Sequence, residues 1–165
     1  MPAMARISQL DGFDRKLLSL VQRDADMTAD RLGETVGLSA SAVLRRLKRL
    51  KAQGVIVANV AVVDPVRVGK PTFFVVALEI ERERPEMIAR LRQWLGDDEH
   101  IQQVFYVTGT ADFILIVAAP DVEAYDALMS RLIAENPNVR RFTTNVVLGT
   151  GKRSLSVPIE DNGLK

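Results

Sequence analysis

The stretch Leu38 to Ile56, LSASAVLRRLKRLKAQGVI, leaves few choices of structure, because it holds Arg45, Arg46, Lys48, Arg49 and Lys51 in one run with no acidic residue. At about 100° per residue, Val43, Leu47 and Leu50 fall on one side of a helix with Ala40, whereas Ser41, Ala42, Arg45 and Arg49 fall opposite, flanked by Arg46 and Lys48. One face is built to pack and the other is offered outward. Ser39 is an N-cap whose hydroxyl can accept an orphan backbone N–H, and Gly54 supplies the permissive backbone at which such a helix ends.

The residues before it narrow the reading. In Leu10 to Gly37, a first helix starts near Asp11 and carries Phe13, Leu17, Leu20 and Val21 as a buried stripe. A shorter second helix starts near Thr28, carries Ala29, Leu32 and Val36 at i, i+3 and i+7, and stops at Gly37. Short helix, glycine turn, basic helix is helix-turn-helix order. After Gly54, the β-branched VIVANVAVVD predicts a two-stranded ribbon turning around Ala58 and Asn59, which would make the unit a winged helix-turn-helix.

A basic run on a helix is often no more than a solvated face. The three-helix order, the small residues Ser41 and Ala42 on the outer face and the missing acids favour DNA instead. A helix entering the major groove needs small residues at close approach and Arg or Lys where it meets guanine edges and phosphates. Ser39, Ser41, Ala42, Arg45, Arg46, Lys48, Arg49 and Lys51 are the candidate DNA-binding residues. Lys48, Arg46 and Lys51 are expected on phosphates, and Arg45, Arg49 and Ser41 on bases.

Charge divides the chain in the same sense. Residues 1–63 hold ten Lys and Arg against six acids, and residues 64–165 hold twelve against fifteen, so a net charge of +1 hides a basic front and an acidic back. DPVRVGKP, residues 64–71, reads as a linker between a DNA-binding domain at 1–63 and a second domain at 72–165. The absence of cysteine excludes disulfides and thiolate metal sites and fits a reducing compartment. With no apolar run of membrane-spanning length and no signal-peptide pattern, a cytoplasmic location is expected. Residues before Leu10 read as disordered, with Arg6 within reach of DNA.

The second half reads strand, helix, strand, strand, helix, strand. Thr72–Ile80 is apolar and β-branched, and Pro85 opens a helix to about Leu95 that buries Ile88, Leu91 and Leu95. Ile101–Val107 and Phe113–Ala118 are strands joined through TGTAD, a turn containing Gly109. Asp121 caps a helix to about Ile133, and Asn136-Pro137-Asn138 turns the chain into a strand at Val139–Leu148. This is the order of a ferredoxin-like βαββαβ domain, so the fold class is α+β. FFVVALEI and DFILIVAA are apolar on both faces, which predicts a second subunit on the sheet face that the helices leave open, hence an obligate dimer. A short edge strand is expected at Ser154–Val157, followed by a frayed end.

In combination these features resemble the leucine-responsive regulatory protein and asparagine-synthesis regulator (Lrp/AsnC) family of transcription regulators. The resemblance runs from Leu10 to about Ile159 through LDGFDRKLL, LSASAVLRRLKRLKAQGVI, VDPVRVGKP, VTGTADFILIV, and NPNVRRFTTNVVL followed by Lys152. It implies a C-terminal amino-acid-sensing (RAM) domain, dimers that pair through its sheets, and tetramers or octamers of those dimers. It also implies a small amino-acid effector bound near the hairpin turn. On this chain the contacts would be Thr108, Gly109 and Asp112, with backbone N–H groups for a carboxylate and the aspartate for an ammonium. Thr143, Thr144 and Asn145 would complete the pocket. Asn145 stands where the family commonly has serine, and Gly149-Thr150-Gly151 where bulkier residues are usual. From the residues alone, Gly109 equally serves a turn dihedral and Asp112 a local cap. The mechanism implied is a pair of recognition helices on a pseudo-palindromic site, with effector binding altering how dimers associate.

Two other classes compete. A branch sharing this architecture consists of tetrapyrrole-decarboxylating enzymes that rely on histidines. Here the single His100 in DDEHI, with no cysteine, makes no base, nucleophile or metal cluster, so no enzyme activity, metal or cofactor is expected. The other is a ligand-independent DNA-architectural protein, which responsiveness to amino acids would exclude.

Overall fold

Each helix of the first half begins at a residue whose side chain can cap it. In the computed structural model, which describes residues 10–159, Asp11 caps α1 (Gly12–Val21), Thr28 caps α2 (Ala29–Val36) and Ser39 caps α3 (Ala40–Ala52). The Asp11 cap is reciprocal: its Oδ1 accepts the Asp14 N–H at 2.8 Å, while Asp14 Oδ2 accepts the Asp11 N–H at 3.3 Å. Leu17, Leu32, Val36 and Val43 form the core between the helices, and Leu20, Val21, Met27 and Leu47 close over it.

The turn between α2 and α3 depends on two glycines. Gly37 sits at φ 79°, the left-handed region that ends a helix. Its N–H and that of Leu38 both donate to the Gly33 carbonyl, at 2.8 and 2.9 Å. Gly33 is the less obvious requirement, since a Cβ there would lie 2.4 Å from the Leu38 carbonyl oxygen.

The expected wing does not form. Residues 57–64 contain no strand, and Val57, Val60, Val62 and Val63 are exposed. A lone ribbon with no apolar cover is marginal, and Ala58-Asn59 lacks the glycine of a tight hairpin turn. Within the segment at 64–71, expected as a linker, Asp64 caps a single 3-10 turn at Pro65–Val68.

In the second half the order is β1 (Thr72–Ile80), α4 (Pro85–Asp97), β2 (Ile101–Tyr106), β3 (Phe113–Ala119), α5 (Val122–Glu135) and β4 (Val139–Val146). The strands make one antiparallel sheet in the order β2-β3-β1-β4, the ferredoxin-like arrangement. Phe74, Val76 and Leu78 of β1 and Phe113, Leu115 and Val117 of β3 are buried with Leu91 and Leu95 of α4 and Tyr125, Leu128 and Leu132 of α5. Phe74 and Tyr125 stack with ring centroids 3.9 Å apart. Strand alternation puts Val75, Ala77, Ile114 and Ile116 on the opposite face, where they are only half-buried. The described residues form two separate compact units, one of residues 10–61 with 153–159 and one of residues 62–152.

The tail departs from expectation. No strand forms at Ser154–Val157; residues 153–159 belong with the helical unit instead. There the Gln22 amide brackets Val157, its Oε1 accepting the Val157 N–H at 2.8 Å and its Nε2 donating to the Val157 carbonyl at 3.1 Å. One side chain thus supplies both bonds that a neighbouring strand would have made. The expectations about Arg6 and the frayed end beyond Ile159 lie outside the described residues. No described helix is long and apolar enough to cross a membrane.

The close approach at Gly33 gives a direct test. Gly33→Ala should destabilise the protein by about 1–3 kcal/mol, the usual cost of overpacking a tight site, despite alanine's better helix propensity. Denaturant unfolding measures it, and an unchanged or raised midpoint would contradict this account of the turn.

Candidate nucleic-acid interface and ligand pocket

Helix α3 carries the basic residues, but they do not share one environment. Val43 and Leu50 are buried, and Ser41, Leu44, Arg45, Lys48 and Lys51 are exposed. Ser39 serves the helix itself, its Oγ accepting the Ala42 N–H at 3.3 Å. Among the described residues, Arg45, Lys48 and Lys51 make no ion pair, so their charges face solvent. Ala42 is half-buried beside them.

Arg46 and Arg49 are placed differently. Arg46 Nη1 donates to Asp11 Oδ2 at 2.6 Å and to Asp14 Oδ1 at 2.9 Å, and its guanidinium carbon lies 5.4 Å from the centroid of the Phe13 ring. Arg49 Nη2 donates to Asp14 Oδ2 at 2.5 Å. Asp14 is only 1 % exposed, Arg46 21 % and Arg49 45 %. Arg46, expected on phosphate, is therefore largely absorbed in joining α3 to α1. Arg49, expected on a base, is held at one edge and stays half open to solvent.

Burial pushes the Asp11 carboxyl up, but the Asp14 N–H it accepts and the Arg46 guanidinium beside it outweigh that and hold it below the usual carboxylate value. Hydrogen bonds to Asp11 and Asp14 raise the Arg46 guanidinium above its ordinary value, so its charge is permanent.

Leu44 escaped the sequence reading. It is 59 % exposed on a helix whose other large apolar side chains turn inward. Its position one residue before Arg45 and four before Lys48 was the available signal. Asp14 was visible only as part of the DxxD capping pattern; its burial between two arginines required the tertiary structure.

The six expected effector contacts do not converge within one chain. Thr108 and Gly109 are exposed in the β2–β3 loop, and Gly109 adopts φ 131°, which favours glycine. Asp112 staples that loop to the end of β1: its Oδ2 accepts the Ile80 N–H at 2.7 Å, its N–H donates to the Leu78 carbonyl at 2.9 Å, and its carbonyl accepts the Val107 N–H at 2.9 Å. Thr144, paired with Val76, faces the helices and shares a 2.5 Å hydrogen bond with the Tyr125 hydroxyl, whose ionisation burial pushes up against that bond's smaller effect. Thr143 and Asn145, paired with Ala77 and Val75, face the open side of the sheet, and Asn145 Nδ2 donates to the Val75 carbonyl at 3.4 Å. Thr144 therefore cannot line a pocket with its two neighbours, because successive strand residues point to opposite faces. His100 lies 3.4 Å from Asp98 through Nδ1, and no group of three metal-ligating side chains is present among the described residues.

Comparison with known proteins agrees with this division. Residues 10–51 match the family model described as the AsnC-type helix-turn-helix domain, and residues 74–157 that of the Lrp/AsnC ligand binding domain. An HTH-type transcriptional regulator of Sinorhizobium fredii is 41% identical over 152 residues, 92% of this chain and 90% of that protein. Among solved structures, an AsnC family transcriptional regulator from Agrobacterium tumefaciens superposes with a TM-score of 0.82 at 28% identity, covering 90% of this chain and 96% of the other. A transcriptional regulator from Neisseria meningitidis, solved as its L-Met complex, gives 0.80 at 26% identity, with the same coverage. These relatives are transcriptional regulators, not enzymes.

The depressed Asp11 carboxyl fixes the sign of one pH effect. A group lowered in the folded state contributes stability that is present above its unfolded value, about 3.9, and lost as pH falls through the folded value. Asp11→Asn should therefore lower the melting temperature at pH 7, and the gap from wild type should close on acidification below about pH 4. A gap independent of pH would remove the ionic contribution.

Proposed function

This chain belongs to the Lrp/AsnC family of DNA-binding transcriptional regulators, and from that membership we propose that it reads its operator with the outward face of α3 and answers to an amino-acid-type effector. The observation that carries the first part is the set of exposed side chains on one helix face, Ser41, Leu44, Arg45 and Lys48. Arg45 and Ser41 meet base edges, and Leu44 meets a thymine methyl, the apolar feature that the major groove presents. Lys48 and Lys51 meet phosphates. Arg49 approaches the duplex with the edge that Asp14 leaves open, and Arg46 acts within the domain. Ser39 and Ala42 cap and flank the face that enters the groove.

The effector reading rests on the ligand-binding-domain match and on the L-Met complex of the Neisseria regulator. Thr108 and Gly109 offer a small exposed loop, Asp112 holds its base, and Thr143 and Asn145 add polar groups on the open sheet face. These groups come from separate places on one subunit, so a complete pocket takes in a second copy. The half-buried Val75, Ala77, Ile114 and Ile116 support the same conclusion, since a second subunit would remove them from water. Dimers that pair through this face and associate further on effector binding would couple amino-acid level to operator affinity, in the cytoplasm where DNA is accessible.

Three measurements test this. Lys48→Ala should weaken binding to all sequences alike and lower the salt slope by about one. Replacing single operator thymines with deoxyuridine should weaken wild type about fourfold at one position per half-site, the worth of one buried methyl at ~0.8 kcal/mol, and should leave Leu44→Ala unaffected. Calorimetry against the twenty amino acids, with DNA binding followed in parallel, should find one that binds and shifts operator affinity. Tight DNA binding indifferent to all twenty would favour an architectural role.

A further inference from the structure

We infer that Asp14, on α1 and away from the outward face of α3, is a positioning residue for DNA recognition that aims the Arg49 guanidinium at the duplex. The inference rests on the reading of α3 as the recognition helix.

A buried carboxylate is costly unless its oxygens are satisfied, and Asp14 has both occupied: Oδ1 by Arg46 at 2.9 Å, Oδ2 by Arg49 at 2.5 Å and by the Asp11 N–H at 3.3 Å. Joining α3 to α1 needs only the first of these contacts. Arg46 already bridges Asp11 and Asp14 and lies over Phe13. Arg49 is more than twice as exposed, at 45 % against 21 % for Arg46, so its bond to Asp14 does little to seal the interface.

What that bond does is remove freedom. A guanidinium carries five N–H donors in a planar fork. Fixing one nitrogen on a rigid, buried acceptor orients the remaining edge before DNA arrives, so less side-chain entropy is lost when a base or phosphate is met. The charge arithmetic points the same way. Asp11 and Asp14 together neutralise Arg46 and Arg49, leaving Arg45, Lys48 and Lys51 as the unpaired cations of α3 among the described residues. Asp14 therefore lowers sequence-independent attraction to phosphate while sharpening the geometry of one reader. A residue that only held the fold together would not separate those two effects.

The experiment measures Kd by fluorescence anisotropy over a range of salt, for the best duplex selected by wild-type protein from a random-sequence library and for a scrambled duplex of the same composition. Asp14→Asn should bind the scrambled duplex as tightly as wild type or more tightly, with a steeper salt dependence, while the ratio between the two duplexes falls about tenfold. Arg49→Ala should lose a similar ratio, and the double variant should lose no more than Arg49→Ala alone, because the first residue acts through the second. A ratio unchanged in Asp14→Asn, or losses that multiply in the double variant, overturns the inference while leaving α3 as the recognition helix. A ratio unchanged in Arg49→Ala likewise overturns the inference, whereas a ratio unchanged in Arg45→Ala brings down the reading of α3, and this inference with it. Should Asp14→Asn fail to fold, Arg49→Lys decides: it keeps the charge but leaves no second edge once Asp14 holds it. The ratio should fall at unchanged salt slope, and a ratio equal to wild type overturns the inference.

Discussion

The helical domain turns on one buried carboxylate. Asp14 lies within α1, yet its oxygens face two arginines of α3 spaced three residues apart. An unpaired charge in that place would be expensive, so once α1 and α3 pack, both guanidinium groups are drawn to it. The same aspartate accepts the backbone N–H of its own helix cap. A local device that starts a helix and a tertiary device that orients another are thus one side chain. Its consequence is a division along α3, where Arg46 and Arg49 are tied inward and Arg45, Lys48 and Lys51 keep their charges open to solvent.

In the second domain the governing constraint is the central position of β1. It pairs with β3 on one side and β4 on the other, so every residue of β1 is assigned to a face by simple alternation. Even-numbered residues from Phe74 to Ile80 meet the two helices, and the odd-numbered ones look the other way. This parity explains why Thr143 and Thr144, adjacent in sequence and alike in chemistry, have different fates. Thr144 closes the helix-side core against Tyr125, and Thr143 is left on the open face. Antiparallel pairing of β1 with β3 likewise brings Asp112, the residue just before β3, to the end of β1, where it reaches the backbone of Ile80 and holds the preceding loop in place.

The tail shows a limit of reading by pattern. Ser154–Val157 has the polar-apolar alternation of an edge strand, but a strand exists only where a partner offers its backbone. Gln22, at the C-terminal end of α1, offers an amide that satisfies the donor and the acceptor of Val157 together. The wing fails for a related reason: its valines alternate as a ribbon's should, but no surface covers them.

Capping residues, apolar periodicity and glycine positions are local, and they determined from the sequence alone where α1, α2, α3 and β1 begin, the order of the ten elements among the described residues except the single 3-10 turn, and the fold class. The basic face of α3 was legible for the same reason, since helical spacing places side chains by arithmetic. What the tertiary structure decided depends on residues distant in the chain. Arg46 and Arg49 differ from Arg45 and Lys48 only because Asp14 lies opposite them, some thirty residues earlier. Leu44 stands out only because the rest of the helix's large apolar side chains find a core. A charge declares its type in the sequence, but its partner, and therefore its freedom to act, is set by packing that no local pattern encodes.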